Sequence, residues 1–395
     1  MMFSGRLGAI PRTVWLLGAI SLLNDAASEL VYPLLPLFVT STLAGGPLAL
    51  GMVEGAAEAA ASMLKLVSGA WYDRLGRARP FVVSGYGVAA FARPVMALAQ
   101  AWPAVLCLRV ADRIGKGLRS APRDALLSRS VNPAQLGIAF GLHRAFDNTG
   151  AVVGPLLAAG LLAMDVPVRH ILALAAVPGL LCLALTMRVR EPPGPWHVDP
   201  VRRRWQWASL PAPLRRLILV VGLFSFGNVS SVFFLLRASQ IGLSPARVAL
   251  LWSLVSALAA LLSVPLSGWS DRIGRLPLLT GGWGLMGALS LGFAMATAPS
   301  TVWLLGVALG VHLAATDGVE RALIGDVAAA DQRGSAYGWY HLVRGGMLLP
   351  AAAWIGALWT ATNARWAFFS AGACAFAAAA LLRCWARPSP PVRPG

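Results

Sequence analysis

The sequence predicts an all-α membrane protein of about twelve spanning helices, arranged as two similar six-helix bundles. Three observations carry that expectation: apolar stretches recur along the whole chain, basic residues concentrate in alternate connections, and motifs of the first half return in the second. The 395 residues are 57% hydrophobic and 12% charged, with mean hydropathy +0.67, a balance foreign to soluble domains. A spanning helix takes about 20 apolar residues. Shared evenly, the chain leaves roughly 33 residues for each helix and its loop, so connections are short and no large soluble domain fits.

The net charge of +17 is placed as topology charge. Arg6 and Arg12 precede the first stretch, and Arg74, Arg77 and Arg79 follow the second. Arg188, Arg190, Arg202, Arg203, Arg204, Arg215 and Arg216 fill the middle connection; Arg272 and Arg275 follow the eighth stretch, and Arg383, Arg387 and Arg393 the twelfth. The intervening loops are nearly bare. Such an alternation puts both termini in the cytoplasm and argues against a nucleic-acid partner, which would want the arginines on one folded face. The first stretch resumes past Asp25 and runs to Val39, too long for a cleaved signal. Cys107, Cys182, Cys374 and Cys384 lack metal-ligand spacing and read as small core residues. The expectation is a monomeric, multi-pass protein of a plasma membrane, such as a bacterial inner membrane, without metal or cofactor.

Internal repetition fixes the organisation. Ser68-Gly69-Ala70-Trp71-Tyr72-Asp73-Arg74-Leu75-Gly76-Arg77 closes the second stretch, and Ser267-Gly268-Trp269-Ser270-Asp271-Arg272-Ile273-Gly274-Arg275 closes the eighth. Further on, Ala125-Leu126-Leu127, Gln135, Gly137 and Ala139-Phe140-Gly141 return as Ala322-Leu323-Ile324, Gln332, Gly334 and Ala336-Tyr337-Gly338. The chain therefore divides into residues 1–188, a basic linker over 189–214, and residues 215–395, two parallel repeats about an axis along the membrane normal.

The Asp-Arg-x-Gly-Arg loop, present in both halves, resembles the signature loop of the major facilitator superfamily, and with the helix count and the repeat the likeness covers essentially the whole chain. The resemblance implies a transporter: two six-helix bundles around a central cavity lined by the first, second, fourth and fifth helices of each half, the third and sixth lying outside. It also implies gating loops, in which Asp73 with a fourth-helix arginine latches the cytoplasmic side. Gly76 permits the tight turn, Asp73 can accept from a neighbouring helix N-terminus, and Gly69 gives close packing. The second loop (Asp271, Arg272, Gly274, Arg275) has Ser267 where the family pattern wants that glycine.

The charges inside the apolar stretches follow the same division, read without the family. Each costs roughly 2.5–3.5 kcal/mol at the bilayer centre, so each faces protein or water. The first helix carries Asp25 and Glu29, then Pro33-Leu34-Leu35-Pro36, a sequence similar to drug exporters. The second carries Glu54 and Glu58, with Lys65 two turns below; the third carries Arg93 alone. Along one face of the fourth run Arg109, Asp112, Arg113, Lys116, Arg119 and Arg123. The last three suit topology and latch roles, and Arg113-x-x-x-Gly117 resembles the superfamily's fourth-helix arginine motif, with Arg109 the other occupant of that role. The fifth holds His143, Arg144, Asp147 and then Gly150-x-x-x-Gly154-Pro155, a close-packing pattern whose Gly-Pro core resembles the motif of proton antiporters. Asn228 lies in the seventh; His312, Asp317, Glu320, Arg321, Tyr340, His341 and Arg344 lie in the tenth and eleventh. The sixth (171–187), ninth (278–298) and twelfth (366–382) are free of charge.

Carboxylates crowded in a low-dielectric site let one of them keep a proton near neutral pH. Asp25, Glu29, Glu54, Glu58 and Asp147 are the candidates for proton coupling, against the alternative of a buried network neutralised by Arg109, Arg113 and Lys65. Enzyme chemistry is not expected: there is no nucleophile-base arrangement, HExxH or phosphate loop. The expected function is proton-coupled export of a small solute, or alternatively proton-coupled uptake of a solute or metal chelate such as a siderophore. The acids and few histidines form no recognisable metal cage.

Overall fold

The computed structural model describes residues 10–132, 135–191, 207–328 and 333–385, all helical or in turns. Twelve long helices follow one another: α1 Arg12–Thr42, α2 Gly46–Leu75, α3 Arg79–Leu98, α4 Trp102–Arg129, α5 Leu136–Ala163, α6 Val168–Met187, α7 Ala212–Gln240, α8 Pro245–Ile273, α9 Arg275–Met295, α10 Pro299–Val327, α11 Arg333–Ala361 and α12 Ala364–Trp385. Ten are long and apolar enough to cross a membrane; α2 and α4, the two rich in ionisable residues, complete the set. Most of the expected linker, including Arg202, Arg203 and Arg204, and the terminal arginines Arg6, Arg387 and Arg393 lie outside the described residues.

Local chemistry sets the boundaries. Proline stands in the first turn of α2, α4, α8 and α10, where its missing N–H is not needed. Gly76 ends α2 in the left-handed region (φ 65°), its N–H donating to the Tyr72 carbonyl at 2.8 Å. Pro33 and Pro36 interrupt the regular pattern of α1, which tightens over Tyr32–Leu34 and widens over Phe38–Thr42. The helical run of α7 breaks at Asn228, between Ala212–Gly227 and Ser231–Gln240. Arg169 on α6 donates to the Ala97 and Ala99 carbonyls (2.6 and 2.8 Å), and Arg237 on α7 to those of Phe293 and Ala296 (3.2 and 3.0 Å). These bonds satisfy the open ends of α3 and α9.

The packing has internal symmetry. In the first half α1 packs on α5 and α6, and α4 on α2 and α3; in the second, α7 packs on α11 and α12, and α10 on α8 and α9. The halves meet along α2 with α11 and α5 with α8. The face at which α1 begins is the near face, the opposite one the far face. At the far ends a single apolar core joins both halves, from Leu30, Phe38 and Leu50 to Phe233, Trp252 and Trp359. Towards the near face the first half keeps a separate core, from Val14 and Leu17 to Tyr86, Leu127 and Cys182, without a member from the second half. The molecule is thus sealed across its far end and divided at its near end.

Candidate functional site

A two-chambered cavity fills the division. The far chamber, about 290 Å³, is walled by Glu29, Tyr32, Glu54, Trp252 and apolar residues such as Leu309 and Ile355. The near chamber, about 660 Å³, is lined by charged side chains from α1, α2, α4, α5, α10 and α11. Glu58, Asn228 and Leu348 border both, so the two adjoin, and the break in α7 places Asn228 at their junction. The first, second, fourth and fifth helices of each half supply nearly all of the lining, with Met286 of α9 an exception.

Six ionisable groups lie together in the first half. Arg93 donates through Nε to Asp112 at 2.9 Å and through a terminal nitrogen to the Asn24 carbonyl at 2.9 Å. Arg109 reaches the other Asp112 oxygen at 3.2 Å and Glu54 at 3.2 and 3.4 Å. Arg113 pairs with Glu58 at 2.9 Å and Glu54 at 3.8 Å. Three arginines meet three carboxylates, so the network is formally neutral, and all but Glu58 are buried. Arg93, the exception to the lining pattern, is explained: it faces inward, and Asp112 is its partner. Glu54 and Glu58 sit among these arginines rather than in one cluster with Asp25 and Glu29.

The remaining acids are held differently. Glu29 accepts from the Trp252 indole N–H at 2.8 Å, a bond between the halves, beside Tyr32 and Trp252 rings 5.0 Å apart. Asp147 accepts from the Ser21 hydroxyl and lies 3.6 Å from His143 Nδ1. Asp25 accepts from the Asn24 amide at 2.8 Å. Both aspartates line the near chamber. A Cβ built on Gly150 would stand 2.5 Å from the Leu22 carbonyl and 3.0 Å from the Asp25 Cβ, and one on Gly154 2.6 Å from the Ala26 carbonyl. That close approach of α5 to α1, with Pro155 following, sets Asp25 against Gly150, one turn along α5 from Asp147.

In the second half Asp317 gathers Arg321 at 2.9 Å, Arg344 at 3.5 Å and, across the division, Arg144 at 3.9 Å. Tyr340 donates to Glu320 at 2.8 Å and accepts from Arg344 at 2.7 Å. His341 lines the near chamber. His312 is buried against the Gly282 carbonyl at 2.8 Å, a packing role away from the cavity. His143 is buried, its Nε2 without a hydrogen-bond partner among the described residues.

The gating loops are at the near face. The side chains of Asp73 and Arg74 lie outside the described residues; Arg77 is exposed. Gly69 meets nothing closer than 3.8 Å, whereas a Cβ at Gly117 would stand 2.8 Å from that of Leu64. The tight approach of α2 to α4 is at Gly117, deeper than expected, because the near ends diverge. Asp271 pairs with Arg275 at 3.1 Å, and Arg275 also bonds Asp326 of α10, closing the second loop on its own half; Arg272 is exposed and Gly274 turns at φ 91°. Lys116 and Arg119 are not surface charges. Both line the near chamber, and Arg119 donates to the Gly85 carbonyl at 3.3 Å over the Tyr86 ring. Sequence reasoning missed Ser21, Asn24 and Trp252, whose residue types are unremarked in an apolar span.

Comparison with known proteins agrees with the geometry. The family model of the Major Facilitator Superfamily matches residues 17–237 and again 217–395. An uncharacterised MFS-type transporter of Methanocaldococcus jannaschii is 34% identical over 357 residues, 89% of each chain. The multidrug resistance protein MdtH of Cronobacter sakazakii is 27% identical over 261 residues, 62% of this chain and 61% of that one. The fold is that of the nucleoside transporter NupG, with a TM-score of 0.81 at 13% identity over 95% of this chain and 100% of that one. The chain belongs to the major facilitator superfamily. Its family and fold are those of membrane transporters and not of enzymes.

Proposed function

We propose that this transporter exports a small solute by alternating access in exchange for protons, and that Asp25 and Asp147 carry the proton. The observation that supports this most is the setting of the two carboxyls. They share a chamber wall where α5 presses on α1, and among the described residues neither has a lysine or arginine within 4.0 Å. The buried acids Glu54 and Asp112, by contrast, are committed to arginines. A proton can therefore come and go at Asp25 and Asp147 without dismantling a salt-bridge network. Export is supported by the Gly150-x-x-x-Gly154-Pro155 core and by the multidrug relatives. With the basic near face cytoplasmic, the sealed far end and divided near end correspond to an inward-open arrangement, and residues 1–188 and 215–395 are the bodies that rock.

A thermal-shift screen on the purified protein supplies the solute, and proteoliposomes with an imposed pH gradient supply the test. Asp25→Asn and Asp147→Asn should each abolish gradient-driven movement while leaving the protein folded. Full uphill transport in both variants would exclude the pair as the coupling site. Solute moving in the direction of the protons would make the protein an importer. A cysteine at Ser41, in the last turn of α1 at its far end, should label only from outside the cell; labelling only from the cytoplasm overturns the orientation.

A further inference from the structure

We infer that the near chamber takes an amphoteric solute, its acidic group held by Lys65 and Lys116 and its basic group by Asp25 and Asp147. This rests on the transport function proposed above and adds the chemical class of the cargo.

The charge of the chamber walls carries the inference. Seven lysine and arginine side chains line it against five carboxylates. Most are mutually satisfied: Asp124 by Arg123 at 2.9 Å, Glu58 by Arg113, and Asp317 by the three arginines around it. Arg119 is spent on a carbonyl and an aromatic ring. Lys65 on α2 and Lys116 on α4 are left. Both are half-buried, and among the described residues no carboxylate approaches either within 4.0 Å. Glu58 faces both lysines and Asp25 faces Lys116, but at longer range than an ion pair; two ammoniums so weakly compensated in one cavity favour an anionic group that arrives with the ligand. On the α1–α5 wall the balance is reversed. Asp25 and Asp147 accept from an amide and a hydroxyl, with His143 3.6 Å from Asp147; Lys116, Arg119 and Arg123 face Asp25, and Arg123 faces Asp147, without closing an ion pair, which leaves a place for a cationic or proton-donating end.

The two unpaired sets are on different pairs of helices around one space of about 660 Å³, room enough for a drug-sized ligand that touches both. A purely cationic solute would leave the lysines uncompensated, and a purely anionic one would face the aspartates. The amphoteric solute answers both, and its basic end competes with the proton at Asp25 and Asp147, as exchange requires: an equilibrium shifts only through such differential binding.

The test uses the purified full chain in detergent at fixed ionic strength with three probes of equal length: 6-aminohexanoate, hexanoate and hexylamine. The two-ended probe should raise the melting temperature and bind roughly tenfold or more tighter than either single-ended one. The Lys65→Gln, Lys116→Gln double variant should reduce its affinity to that of hexylamine, and Asp25→Asn to that of hexanoate. Lys65→Arg with Lys116→Arg keeps both charges and should bind as the native chain does, which separates lost charge from lost folding. The inference is overturned if a single-ended probe binds as tightly, if none of the three stabilises the protein, or if the glutamine variants bind unchanged. A failure of proton exchange in proteoliposomes with this binding pattern intact would remove the coupling mechanism alone.

Discussion

The two halves share a packing scheme but not a chemistry. Asp73 and Asp271 stand 198 residues apart, and that offset sets Glu54 of α2 against Trp252 of α8. The first half backs its inner cavity with a network of three arginines and three carboxylates, of which Glu54, Glu58 and Arg113 reach the lining. The second presents Trp252, Leu309 and Leu313 at the corresponding depth. Helix pairing within a half depends on close approach, which glycines such as Gly117 in α4 and Gly310 in α10 provide in both. The lining is not bound by that requirement. Around the far chamber one half has become an electrostatic wall and the other an apolar one, joined by the bond from Trp252 to Glu29.

The strongest way to break this comparison is to remove a member of the charged wall. Asp112 bonds two arginines and is buried, so Asp112→Ala should destabilise the protein by about 3–5 kcal/mol, the scale of an orphaned buried charge. Thermal denaturation in mild detergent measures it, and a loss within about 1 kcal/mol would mean the network is not what holds α3 to α4. Next in size is the join. Trp252→Phe deletes a hydrogen bond to a carboxylate, worth about 1.5–3 kcal/mol. It should raise the population open at the far face, read as longer distances between spin labels at the far ends of α1 and α8. Unchanged distances would make the bond irrelevant to closure. Smallest is the second gating loop: Asp271 is exposed and its partner Arg275 half-buried, so Asp271→Asn should cost under about 1 kcal/mol and slow transport less than Asp73→Asn. Equal slowing by the two would erase the distinction between the loops.

The fold was legible because a bilayer penalises errors so heavily. Apolar length, alternating arginines and the doubled loop each constrain topology, and they agree. The site was legible only as a set of residues. Which acid meets which base depends on the rotation of each helix, and three- or four-residue spacing leaves that open between neighbours such as Asp25 and Glu29. Arg93 looked anomalous because its partner, Asp112, lies on another helix. Lys116 and Arg119 follow the same spacing as the arginines at the helix end, so their depth was hidden in the sequence. An indole in an apolar span gives no sign of donating to a carboxylate 223 residues away, as Trp252 does to Glu29.

The contact between α2 and α11 has a mechanical consequence. Gly51 and Gly55 face Ala352, Gly356 faces Pro47, and deeper in, Gly345 faces Ser62, so two helix backbones run nearly side by side from the far end to mid-depth. Side chains too short to interlock would let that line serve as an axle for the alternating access proposed above. The other junction, α5 with α8, is tethered by the Ser253 hydroxyl donating to the Val152 carbonyl at 3.0 Å. A rotation about the axle would move that flank through the larger arc, so the lever would be long where the tether must break and short where the backbones touch. A bulky side chain at Gly345 would shift the fulcrum itself, altering the stroke of the machine without touching any charge in its cavity.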